Sequence, residues 1–132
     1  MSMALNEGEQ IPELRVTPDK YLPHRYAGAS GDFNPIHIDD ELAKAVGLPR
    51  NILHGLYSMG LVAKANAALA GGDPRALKRL SVQMRGMGVP EQEIVVTGTV
   101  KAADGNRVVV DTVAAQGDTA LIKNAEAELE LQ

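Results

Sequence analysis

The chain has 132 residues, 45% hydrophobic and 23% charged, which suits one soluble folded domain over residues 1–132. Seventeen acidic against 13 basic side chains give a net charge of -4, which argues against a nucleic-acid partner, since phosphate binding calls for clustered Lys and Arg. Without a single cysteine, disulfides, thiolate metal sites and thiol nucleophiles are excluded together.

The first ten residues, MSMALNEGEQ, lack the basic start and apolar core of a secretory signal. The longest apolar run, residues 55–70, is interrupted by Lys64 and Asn66 and is short for a membrane span. A soluble, cytoplasmic protein with no membrane partner is therefore expected. PELRVT, residues 12–17, sets Leu14 and Val16 against polar neighbours and predicts a short strand. Residues 21–29 predict a short helix starting near Pro23, because a first turn tolerates proline best. Asp39, Asp40 and Glu41 supply the acidic start of a second helix over 41–46, which Gly47 and Pro49 stop.

Residues 54–72, HGLYSMGLVAKANAALAGG, carry apolar side chains around most of the helical circumference. That pattern asks for enclosure rather than a seat on the surface. Gly60, Ala63, Ala65, Ala67 and Ala68 are small enough to let a sheet pack closely, and Gly71-Gly72 ends the helix after roughly 17 residues, about 25 Å.

Beyond it the period becomes two. Leu80, Val82 and Met84 alternate with Ser81, Gln83 and Arg85, while Ile94, Val96 and Val100 share one face. Asp104-Gly105 turns into Val108, Val110 and Thr112, and Gln116-Gly117-Asp118 turns again. Ala125, Ala127, Leu129 and Leu131 then alternate with Glu126, Glu128 and Glu130, a strand with one buried and one wet face. Gly86 and Gly88 mark a bulge or bend. One strand, an enclosed helix and four antiparallel strands give an α+β fold, a curved sheet wrapped around a long helix. Arg75, Lys78 and Arg79 form a small basic group, read as a solvated turn and strand edge; the sharper alternative is a contact for a phosphate-bearing substrate handle.

The chemistry concentrates in GDFNPIH, residues 31–37. Asp32 and His37 stand five apart, which on a helix is about 500° and leaves them roughly 140° apart. On a strand an odd separation sends them to opposite faces. They can meet only if the chain leaves regular structure, and Asn34-Pro35 makes it do so, with Gly31 letting backbone approach. A carboxylate and an imidazole at one spot can hold a water between them, one taking its proton while the other returns a proton to a substrate. Asn34 reads first as a loop residue bonded to its own backbone. His54-Gly55 opens the long helix, where the first N–H groups lack internal partners and carry partial positive charge. Gly55 leaves that N–H open to a carbonyl oxygen, and such a donor is typically worth about 3 kcal/mol of barrier.

His54 itself reads as structural rather than catalytic. Tyr26, Phe33 and Tyr57 cluster near the motif, as pocket or as core. Ser58 is at best a helix hydroxyl near the pocket, and His24 is expected on the surface. Three histidines without HxH or HxxxH spacing predict no metal site.

YAGASGDFNPIH, an acidic pair, a short helix and then HGLYSMG resemble the MaoC-type (R)-specific enoyl-thioester hydratases and dehydratases, proteins of the hot-dog fold. The likeness is specific over residues 20–72; around DDELAKAVGL it is nearest to single-domain bacterial 3-hydroxyacyl-thioester dehydratase subunits. The resemblance implies reversible hydration of a trans-2-enoyl thioester of coenzyme A or acyl carrier protein to the (R)-3-hydroxyacyl thioester. By position, Asp32 and His37 match the family's water-activating pair and Gly55 the N–H that polarises the thioester carbonyl. Tyr26, Phe33, Asn34, His54, Leu56, Tyr57, Ser58 and Met59 are then candidates to line the substrate site. No cofactor is implied, and the expected assembly is a homodimer or a heterodimer with a related hot-dog chain. Two features depart from the family: Ala63 stands roughly where some members carry a serine, and Pro23 interrupts a helix that is often continuous. The rival expectations are a hot-dog thioesterase and a non-catalytic acyl-binding subunit.

Overall fold

Glycine at the first position of two tight turns folds the C-terminal half of the chain into a meander. Gly105 has φ +60° and Gly117 φ +55°, and the flanking residues pair across each turn, Asp104 with Arg107 and Gln116 with Thr119. A left-handed residue there matches the twist of the strands it joins. In the computed structural model, which describes residues 5–132, the strands β1 (Leu14–Val16), β2 (Leu77–Met84), β3 (Ile94–Asp104), β4 (Arg107–Gln116) and β5 (Thr119–Glu130) form one antiparallel sheet. Its order is β1-β3-β4-β5-β2.

The expected α+β arrangement is present. Helices α1 (Leu22–Ser30), α2 (Pro35–Ile38) and α3 (Asp40–Ala45) precede the long helix α4 (Gly55–Ala67), which lies against β2, β3, β4 and β5. The first and last strand patterns hold: Leu14 pairs with Val96, and Ala125, Ala127 and Leu129 are buried while Glu126, Glu128 and Glu130 are half-exposed. The chain ahead of β1 also tracks β3, since Ile11 N bonds Gly98 O at 3.0 Å. Ile11 lies where a side chain on residue 98 would be, an ideal Cβ there falling 2.9 Å from its Cδ1.

Gly86 makes the expected bend: Arg85 N and Gly86 N both bond Leu121 O, and the backbone passes so close to β5 that a Cβ there would run into Ala120 O. The pairing also shifts register elsewhere, including in β5, where Asn124 has φ +50° and an extra residue opposes both neighbouring strands. Two local expectations are corrected. Gly31 caps α1 in the left-handed conformation, φ +80°, and its surroundings are open rather than tight. The second correction is that α4 is not enclosed. Leu61, Val62, Ala65 and Ala67 are buried against the sheet, but Leu56 is 64% exposed and Gly60, Lys64 and Ala68 also face outward. An apolar circumference does not distinguish cover by the chain's own sheet from cover by a second chain. No helix among the described residues is long and apolar enough to cross a membrane.

Asn66 is the polar exception in the helix–sheet interface. It is fully buried, and its Nδ2 donates to Val62 O at 2.9 Å and to Thr112 Oγ1 at 3.1 Å, while Oδ1 finds no partner. Thr112→Val should cost about 1–2 kcal/mol by leaving a buried amide donor short of an acceptor. Adding Asn66→Leu should recover most of that loss, as denaturant unfolding would read.

Candidate active site

Asn34 organises the loop. Its Oδ1 accepts from Ile36 N at 3.2 Å and caps α2, and Pro35 fills the first helical position where no N–H is needed. Asn34-Pro35 therefore starts a helical turn rather than making only an irregular bend. Asp32, still in the loop, and His37, now helical, end up facing each other, Asp32 Oδ2 lying 3.8 Å from His37 Nε2.

Nearly all other polar atoms of this pair are bonded. Asp32 Oδ1 accepts from Asn34 N at 3.2 Å, and Asp32 N donates to Ser30 Oγ at 3.1 Å. His37 Nδ1 lies 2.8 Å from Ile52 O; a carbonyl only accepts, so Nδ1 carries a proton and Nε2 is the ring nitrogen left facing Asp32. The separation of 3.8 Å is too long for a direct hydrogen bond, but one water oxygen about 2.8 Å from each atom fits at the apex. His37 is 8% exposed, whereas the Asp32 side chain is 53% exposed.

A second layer holds the backbone behind His37. Asn51, buried, donates from Nδ2 to His37 O at 2.9 Å, and Asp40 Oδ1 accepts from Asn51 N at 3.1 Å. The Lys44 ammonium beside Asp40, and the Asn51 N–H, hold its carboxyl below the usual carboxylate range. Asn51, Ile52 and Asp40 were not legible as site residues, because each bond in this layer has a backbone group as donor or acceptor, which leaves no trace in residue type.

His54 and Gly55 approach from the other side. The His54 ring stacks on His37 at 3.9 Å between centroids and 20° between planes, and Tyr26 packs on it at 4.6 Å. Its Nε2 lies 3.0 Å from the Asp32 carbonyl oxygen. Although His54 stands at the N-cap of α4, its side chain makes no cap bond, so the helix forgoes the roughly 1 kcal/mol a Ser or Asp there would supply. Gly55 is the first residue of α4, its N–H among those no helix can bond internally. An added Cβ at Gly55 would sit 3.6 Å from Met84 Sδ, ordinary contact, so packing alone does not demand glycine.

The remaining sequence candidates divide. Tyr57 packs edge-on to Tyr26 at 5.9 Å, and burial pushes its phenol up from the usual value. Ser58 is buried one turn into α4, and Met59 is half-buried against the core. Phe33 and Leu56 are exposed, at 57% and 64%. His24 is on the surface as expected, with Nε2 3.1 Å from Ile38 O. Arg75 is bonded to Asp73 and Arg79 pairs with Glu128 at 3.7 Å, and both guanidinium side chains are largely exposed. That supports the solvated reading of the basic group.

Asp32, His37 and His54 bring donor atoms within 4.8 Å of one another. A metal ion about 2.0 Å from two imidazole nitrogens must lie in both ring planes, and stacked, nearly parallel rings offer no such point. The stacking of the two rings therefore argues against coordination by this cluster.

Compared with known proteins, residues 6–122 match the model of the MaoC like domain family. The chain is 38% identical over 103 residues to the peroxisomal enoyl-CoA hydratase 2 of Arabidopsis thaliana, which covers 77% of this chain and 31% of that protein. Its structure is similar to a MaoC-like dehydratase with a TM-score of 0.90 at 29% identity, over 97% of this chain and 41% of the other. It shares its fold with the ChsH1-ChsH2 complex of Mycobacterium tuberculosis, at a TM-score of 0.85 and 23% identity over 96% of this chain and 98% of that one. The chain thus spans less than half the length of the first two proteins. The five-stranded sheet with its helix is the hot-dog fold, and a family match running from residue 6 to 122 across loop, helix and sheet means that this chain belongs to the MaoC-like domain family.

Proposed function

We propose that the chain catalyses the reversible addition of water to a trans-2-enoyl thioester, giving the (R)-3-hydroxyacyl thioester. The observation that carries the reading is a pair of unspent proton-transfer atoms, Asp32 Oδ2 and His37 Nε2, 3.8 Å apart, with the other polar atom of each side chain already bonded. Between them the pair carries one proton. The bridging water gives a proton to whichever atom is bare, and its oxygen bonds to C3. C2 takes the proton the other atom held, so the carbon–carbon double bond becomes single and the pair ends with the same single proton on its opposite member. A new water relays that proton back.

As the oxygen attacks C3, enolate charge grows on the thioester oxygen. The Gly55 N–H, at the positive end of α4, is the proposed donor for that charge. Tyr26 and Tyr57 would wall the site, and the carrier would be coenzyme A or acyl carrier protein. A second hot-dog chain, identical or related, is part of the proposal. The side of α4 at Leu56 and Gly60 is uncovered, Met84 beside Gly55 is 48% exposed, and the similarly folded ChsH1-ChsH2 structure is a complex.

The test is crotonyl-CoA in the presence of a thiol reagent. The hydratase reading predicts loss of enoyl absorbance without thiol release. Thiol release instead supports a thioesterase, and inertness of the chain alone, with activity restored by a related co-purifying chain, supports the acyl-binding subunit.

A further inference from the structure

We infer that His54 is a positioning residue, its imidazole tying the loop that carries Asp32 to the start of α4, so that the proton-transfer pair and the Gly55 N–H are held in one geometry. The inference rests on the hydratase reading. Asp32 is anchored at three atoms. Two of the anchors, Ser30 Oγ on its N–H and Asn34 N on its Oδ1, come from within two residues and would move with the loop. The third comes from 22 residues away: the His54 Nε2–H donates to Asp32 O at 3.0 Å. The next residue after that donor is Gly55, so a single side chain sets the distance between the two halves of the proposed site.

The rest of the His54 environment fits that donor. Nε2 must carry a proton to meet a carbonyl, and Nδ1 is buried with no partner. The rings packed on His54 are His37 from α2 and Tyr26 from α1, and the carboxylate within reach is that of Asp32. One face against His37 also fixes the plane in which His37 presents Nε2. A histidine that leaves its helix uncapped and spends its one ring N–H on the loop opposite is placed for that link rather than for the helix.

Two replacements separate the parts of the role. His54→Phe keeps a ring to stack on His37 and lacks the donor. His54→Gln keeps an amide N–H at about the reach of Nε2 and lacks the ring. The expected result is a loss in kcat on the order of 10- to 100-fold for Phe, with KM changed less than about threefold and most of the turnover restored in Gln. Equal turnover in Phe and wild type, or Gln no better than Phe when both melt near the wild-type temperature, would overturn the inference. Nitrogen-15 spectra of the imidazoles read the same link without turnover. They should show His54 protonated at Nε2 and bare at Nδ1 in the folded wild type, and a His54 protonated at Nδ1 sinks the inference even if Phe fails to fold. A wild type with this spectrum but no hydration of any enoyl thioester would reject the hydratase reading and leave the link in place.

Discussion

Gly55→Pro should fold like the wild type and lose about 10²- to 10³-fold in kcat, some 2.7–4 kcal/mol of transition-state stabilisation. Proline deletes one atom group, the N–H, at the helical position that tolerates its absence best, because the first N–H groups of α4 have no partner inside the helix. The residue before a proline must be extended, and His54 already has φ -65° and ψ 134°. Gly55→Ala is the matched control. It keeps the N–H, and its Cβ would meet Met84 Sδ at an ordinary 3.6 Å, so the fold has no reason to object. If the backbone donor stabilises the enolate, alanine stays well above proline in turnover while melting temperatures agree. Equal activity in the two variants would remove Gly55 from the mechanism.

Asp32→Asn and His37→Asn should each lower turnover at least about 100-fold with little change in stability. Both are chosen so that the structural bond survives. Asn at position 32 still offers an oxygen to Asn34 N, and Asn at 37 places an amide N–H near Nδ1 to meet Ile52 O. What each variant lacks is the proton-transfer atom, Oδ2 or Nε2, that faces across the 3.8 Å gap. Because the two act on one water, the double variant should be little worse than either single one. Additive losses would mean that they serve separate steps. Circular dichroism and melting curves should overlay the wild type for all three.

Much of this was legible in the chain. Period-two patterning and the Asp104-Gly105 and Gln116-Gly117 turns gave the sheet, because strand alternation and left-handed turn residues are local properties. The pairing of Asp32 with His37 was legible because only a departure from regular structure could join them. How the chain departs was not: Asn34-Pro35 reads equally as a bend or as a cap with its first helical residue, and the choice depends on Ile36 N being free to bond Asn34 Oδ1. The bonds from His37 to Ile52 O and from His54 to Asp32 O were invisible for a different reason. Any residue type supplies a carbonyl, so the acceptor leaves no pattern. The exposed side of α4 was misread because Leu56 and Gly60 look apolar or small whatever covers them.

These separate readings meet in one claim, that Asp32 and His37 add a single water across an enoyl double bond and leave the thioester intact. Hydration of crotonyl-CoA in heavy water, with the product resolved by nuclear magnetic resonance and chiral analysis, tests it most directly. One product is expected, the (R)-3-hydroxybutyryl thioester with a single deuterium at C2, formed by the wild type and at least about 100-fold more slowly by Asp32→Asn. Free coenzyme A with an unhydrated acid, a mixture of both configurations, or an equal rate in Asp32→Asn would contradict it.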